Sequence, residues 1–438
     1  MLTDRWTLQV ATDDPAVVAG LDTFDTSFIT YGTTAAAVWE AAKTDPACVM
    51  AQAKAAALEM FLQTGQSIGK ARPWLRQAET HLPRATEREK LWHAQVAAWV
   101  DGDAETAIAL CREIIRRWPQ DLAAVKMTQF HMFHVGDLAG MLDVAEAALP
   151  VHHQVPEMHG MLAFGLEEMN RLDEAEAAGR RAIEMKRAEP WAHHAIAHVM
   201  ETQGRCKEGF DFMAALADTW ADRNSFMLSH NWWHAALFAI DSDRPEAALK
   251  LYDDHVWGVW KEYSQDQVNA VALLARLEFA GLDVGERWQD VADYIEQRGP
   301  EHVEPFLDAH YLLGLTRAGR DAAAAALLAS LRDHVARQDD SRLMSRIWRD
   351  VGLPLAQGVA AYGKGDWRTA FAQLKPALDG LQQIGGSHAQ RDLFWQLWLR
   401  AGAKAGETAT VKPYFERRAA ERPGVTKHRR ELAQLARI

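Results

Sequence analysis

The chain has 438 residues, with 48 Lys and Arg against 60 Asp and Glu and a formal net charge of −12. That acidic balance argues against nucleic acid or an anionic membrane as partner, since both require clustered positive charge. Three scattered cysteines with no Cys-x-x-Cys pair indicate neither a disulfide framework nor a thiolate zinc site, and no run approaches the ~18 uncharged apolar residues of a membrane span.

The opening Met-Leu-Thr-Asp-Arg-Trp lacks a basic segment followed by an apolar run, so no signal peptide is expected and the chain reads as cytoplasmic. Residues 1–100 have helical composition with weak periodicity and a breaker at Gly65 to Gly69 and Pro73. A turn signal then recurs every 34 residues, at Gly102-Asp103, Gly136-Asp137, Asn170-Arg171 and Gly204-Arg205. Gly and Asn accept the left-handed conformation between two helices, and that interval is the mark of tetratricopeptide repeats, each an antiparallel helical pair. Pro119, Pro156 and Pro190 precede first helices, where a fixed φ suits the start, and prolines are expected between helices rather than inside them. Ala107 and Ala175, five residues past their turns, are small enough for close helix approach.

Beyond Gly204 the turn signals lie at Asp243, Gly281, Gly319, Gly365 and Gly406, at intervals of 38 to 46 residues. The expectation is an all-α chain, one tetratricopeptide-like α-α superhelix over 1–438. It comprises degenerate repeats at 1–100, regular ones at 101–242, and longer hairpins with a cap at 243–438. The last thirty residues are basic, with Lys412, Arg417, Arg418, Arg422, Lys427, Arg429, Arg430 and Arg437. They read either as a solvated face on a capping helix or as a docking patch.

Two units carry histidine pairs at helical spacing, His194 with His198 and His230 with His234. Residues i and i+4 share one helix face, close enough for both imidazoles to hold one ion. Both pairs precede their turns, on helices expected to line a concave groove, so four imidazoles are candidate ligands for a divalent transition metal. Zinc is the first choice, with iron or copper as alternatives. Glu201 extends the first face by a turn. Asn231 and Trp232 flank the second pair and suit a small-molecule pocket. Asp308 and His310 occupy the same phase before Gly319, and Gln390, Arg391 and Asp392 crowd the start of a helix, where Arg391 suits an anion or carboxylate. A simple N-cap with an Arg–Asp pair bridging two helices accounts for that crowding equally. His159 is the remaining histidine expected to approach the pocket.

The segments Trp191-Ala-His-His194-Ala-Ile-Ala-His198-Val-Met-Glu201, His230-Asn-Trp-Trp-His234, Asp308-Ala-His310 and Gly385-Gly-Ser-His-Ala-Gln-Arg-Asp392 resemble motifs of the tetratricopeptide-repeat protein 38 family. Arg287-Trp-Gln-Asp290 and Asp350-Val-Gly-Leu-Pro354 fit the same family. The resemblance covers most of the chain and implies the fold, without a settled activity. His388 departs from the Asn of animal members, and His193 stands where the family carries an apolar residue.

Two functions remain open on these residues. In one, the histidines hold a metal, Glu201 or Asp308 is the general base, and His310 and Arg391 complete a hydrolytic site for a small ligand. In the other, a non-catalytic scaffold binds a peptide or protein, and the histidines are a structural hydrogen-bond network.

Overall fold

The computed structural model of the chain describes residues 1–428 and 431. Among these, 75% are helical, in 23 helices, which settles an all-α class. The one departure is a two-residue antiparallel ladder pairing Leu2–Thr3 with Gln9–Val10. Arg429, Arg430 and Arg437 of the basic tail lie outside the described residues.

All nine turn positions read from the sequence, from Gly102 to Gly406, have positive φ. Around them the helices pair in sequence order. Glu87–Val100 packs on Ala104–Arg117, Leu122–Val135 on Leu138–His152, and Pro156–Glu168 on Leu172–Met185. Further on, Ser225–Asp241 packs on Pro245–Leu251, Ser264–Phe279 on Arg287–Arg298, and Pro305–Arg317 on Asp321–Ala336. Leu353–Gly363 with Trp367–Leu378, and His388–Lys404 with Thr408–Glu421, complete the series. Ala107 and Ala175 are fully buried, as close helix approach requires.

By its contacts the chain divides into two compact units. One is Met1–Ala195 with the short pieces Asp222–Asn224 and Arg342–Met344; the other holds the rest. The first contains the ladder and the hairpins that turn at Gly102, Gly136 and Asn170, and is pinned by a buried Lys54–Asp25 pair at 2.6 Å. The second contains the longer hairpins and most of the chemistry.

The expectation that prolines avoid helix interiors fails at Pro73, Pro150, Pro376 and Pro413. At Pro73 the reason is visible. A proline clashes with the carbonyl four residues back, and here that residue is the exposed Gly69, whose side is open space. With solvent on that side the Ser67–Glu79 helix continues through Pro73.

The helix Cys206–Leu216 sets the position of Ser225–Asp241 through Gly209. A Cβ there would lie 2.2 Å from Cζ of Phe238, a ring only 1% exposed and with nowhere to retreat. We expect Gly209→Ala to cost about 1–3 kcal/mol by overpacking, seen as a thermal midpoint several degrees lower. An unshifted midpoint would show that this contact yields freely.

Candidate metal centre

His230 and His234 are one turn apart on Ser225–Asp241, and His198 lies on Pro190–Thr202. All three are at most 1% exposed. The His198 and His234 ring centroids are 4.5 Å apart and those of His230 and His234 4.9 Å apart, with one ligand nitrogen from each ring within 4.8 Å of the others. A tetrahedral zinc with Zn–N of ~2.0–2.1 Å wants donors about 3.4 Å apart, a modest contraction. His194 precedes His198 by one turn of the same helix, which puts the two on one helix face. Its ring stacks on Trp191 at 4.3 Å and packs beside Phe164 at 5.3 Å.

Each of the three rings is engaged at Nδ1. His230 Nδ1–H donates to Asn269 Oδ1 at 2.9 Å. His234 Nδ1 stands 3.6 Å from Glu201 Oε2, within ion-pair reach. His198 Nδ1 meets His388 Nε2 at 3.2 Å. Phe226 and Trp233 stack beside His230 at 5.0 and 5.1 Å and hold its plane.

Asn269, on the helix Ser264–Phe279, is itself oriented. Its Nδ2 donates to Ser229 Oγ at 3.1 Å, and Ser229 donates to Asp266 Oδ1 at 3.0 Å. All of these side chains are buried. Spacing alone does not reveal this relay, because its members lie on two helices about forty positions apart.

Burial drives the His230 pKa down to about 3, helped by His234 and opposed by the Asn269 bond. His234 is likewise lowered, chiefly by burial and against the pull of Glu201. Both are neutral at physiological pH, the state a metal ligand needs. Burial pushes the Glu201 carboxyl up, but His234 and the Arg422 guanidinium outweigh it and hold it below the ordinary value.

The other expected residues stand as follows. Asp308 accepts from His302 Nδ1–H at 2.6 Å, so it serves a different histidine. His310 donates from Nδ1 to the Phe306 carbonyl at 2.7 Å and lies 5.2 Å from the Phe394 ring. Asn231 donates to Met227 Sδ at 3.4 Å. Trp232 stacks on His255 at 4.1 Å, on a different side of its helix from His230 and His234. His159 binds the His153 carbonyl at 2.8 Å near the surface. The capping account describes Gln390, whose side chain accepts from the Ser387 N–H at 2.9 Å. Arg391 donates to the Gly386 carbonyl. His388, set aside on sequence grounds, is the neighbour of His198.

Asp392 joins a network built by the basic segment. Arg418 pairs with Asp392, Arg422 Nη2 lies 3.2 Å from Asp241 Oδ2 and 3.9 Å from Glu201 Oε1, and Lys427 donates to Gln396 Oε1 at 3.2 Å. The space between these groups is about large enough for one water molecule. Only part of the segment is the expected solvated face: Lys412 and Arg417 are exposed, whereas Lys427 is 3% exposed. The turn at Gly204 permits this return, since the Gly424 Cα side meets the Gly204 carbonyl directly.

No family model matches the chain. No helix among the described residues is long and apolar enough to cross a membrane.

Arg418→Met strands Asp392, and with the two side chains 18% and 24% exposed we expect a loss of about 2 kcal/mol, below that of a fully buried pair. Asp392 opposes burial through Arg418 and lies well below the ordinary carboxyl pKa when folded. Its contribution is therefore complete above about pH 4 and lost as pH falls toward the folded value. Urea midpoints taken from pH 6 to pH 3 should drop more steeply in the wild type than in the variant; parallel slopes would refute the pairing as a stabilising one.

Proposed function

We infer that His198, His230 and His234 form a divalent-metal centre, zinc first and iron or copper next. One observation carries the reading. Three buried imidazoles each turn Nδ1 toward a different partner, His388 and Asn269 within hydrogen-bond distance and Glu201 at 3.6 Å, which favours Nε2 as the ligating nitrogen of each. An all-imidazole set suits zinc, copper or iron and not magnesium or calcium.

An ion held there supplies Lewis acidity and a bound water of lowered pKa. The chain's own part is positional: Asn269 and Glu201 orient two of the rings. Glu201, kept ionised by Arg422 and His234, is also the carboxylate placed to take a proton. Hydrolysis of a small amide or ester is the activity class that this favours, with a small ligand or peptide as partner. The 34-residue interval and its left-handed turns support a tetratricopeptide-like array, and the motif residues support kinship with the tetratricopeptide-repeat protein 38 family in a cytoplasmic setting.

A structural role is favoured by the buried chain Asp266–Ser229–Asn269–His230, which ties two helices together with or without an ion. Metal analysis of untagged protein separates the two. We expect about one equivalent of transition metal per chain, absent from the His230→Ala, His234→Ala double variant, and an affinity ~10–100-fold weaker in Asn269→Leu. A metal content under roughly a tenth of an equivalent, with a melting midpoint that added zinc does not move, leaves the network as the sole role.

A further inference from the structure

A second polar group assembles in the unit that holds His198, His230 and His234, from a different set of residues. His302 Nδ1–H donates to Asp308 Oδ2 at 2.6 Å, and His302 Nε2 accepts the Ser330 hydroxyl at 2.8 Å. The polarity follows from the acceptors. A carboxylate takes the proton of Nδ1, so the lone pair sits on Nε2 and faces the serine. Asp308 is 2% exposed in the first turn of Pro305–Arg317, whereas Ser330 is half-buried on Asp321–Ala336 and within reach of solvent.

The supports are specific. His302 sits in a loop with φ of 49°, the left-handed region, and this turns its ring between the two helices. His334 lies 5.0 Å from that ring, and Trp348 meets it edge-on at 6.3 Å. Both nitrogens of the His302 ring, 7% exposed, are engaged, one by a carboxylate and one by a hydroxyl. A mid-helix serine ordinarily bonds the carbonyl four residues back; Ser330 turns to an imidazole instead.

We propose that Ser330, His302 and Asp308 act as nucleophile, general base and orienting carboxylate in the cleavage of small aryl or short-chain carboxylic esters. Ser330 Oγ bonds to the carbonyl carbon as its proton passes to His302 Nε2. The carbon–oxygen bond to the alcohol then breaks, and Nε2 returns the proton to the departing oxygen. Water gives a proton to the same nitrogen, attacks the acyl group, and frees the acid while Ser330 recovers its hydrogen. The Trp348 and His334 rings beside the base offer an aromatic wall for the acyl or aryl part.

The test is a fluorophosphonate probe on the full chain, with the modified peptide located by mass spectrometry and 4-nitrophenyl acetate hydrolysis followed in parallel. The adduct is expected on Ser330 and absent in Ser330→Ala. Labelling should be ~100-fold slower or more in His302→Asn, a variant whose side chain tolerates the left-handed backbone and whose fold is checked by circular dichroism. Labelling should persist in a chelator, since this group is separate from the imidazole centre. The proposal is overturned by a wild-type protein with no adduct on Ser330, by wild-type labelling rates in His302→Asn, or by labelling that vanishes on chelation. The position of the wild-type adduct needs no variant, so a misfolded substitution does not leave the question open.

Discussion

Removing an imidazole from water disfavours its charged form, and the architecture around His230 and His234 follows from that constraint. A neutral ring has one donor and one acceptor nitrogen, and only an oriented neighbour decides which is which. At His230 the decision starts at Asp266. Its carboxylate, raised to about 6 mainly by burial, is still ionised at neutral pH and can only accept. Ser229 therefore donates to it and offers its lone pair to the Asn269 amide N–H, which turns Oδ1 toward His230. The tautomer is thus set by a charge three side chains away.

The same constraint explains the use of the C-terminal segment. Glu201 is buried at 7% exposure and stays ionised because the His234 side chain and the Arg422 charge together outweigh burial. Arg422 supplies that charge while also approaching Asp241, and Arg418 does the equivalent for Asp392. Basic residues that look like a surface feature in sequence are the counterions of carboxylates earlier in the chain, 26 positions back at Asp392 and 181 at Asp241. Because a guanidinium is charged at any accessible pH, it fixes those carboxylates more firmly than a histidine does.

Legibility in the sequence tracks how local the physics is. Left-handed turns are written in single residues, so Gly102, Gly136, Asn170 and Gly204 mark hairpins with no knowledge of packing. Helical spacing is equally local, and it puts His194 with His198 and His230 with His234 on shared faces. What lies beneath depends on contacts between helices. Nothing near Asn269 announces that it holds His230, and Ser229 reads as an ordinary helix residue. His388 was discounted on family grounds, yet its ring meets His198. Trp232 sits between two histidines in sequence, but two positions along a helix is about 200°, a little over a half-turn, which sends it to His255. Asp308 was noticed for its phase, but its partner, His302, is in an aperiodic loop that pattern reading passes over.

The histidine environments differ in a way that separates their chemistry. At His198, His230 and His234 the defined hydrogen-bonding or ion-pair partner is at Nδ1, and three rings are gathered with ligand nitrogens within 4.8 Å. Clustering neutral rings gains nothing in proton transfer, since a proton on one raises the cost of a proton on its neighbour, as His234 does for His230. It is the arrangement that a shared Lewis acid rewards. His302 has the opposite wiring. One nitrogen faces a carboxylate that stabilises a positive ring, and the other faces a hydroxyl that can supply the proton. It is the wiring that the acid–base role proposed for His302 uses, and not one that ligation needs. Neither group uses the turn residues that close a hairpin: the three imidazoles stand on first helices, whereas His302 is in a loop and Asp308 and Ser330 are on the two helices of one hairpin.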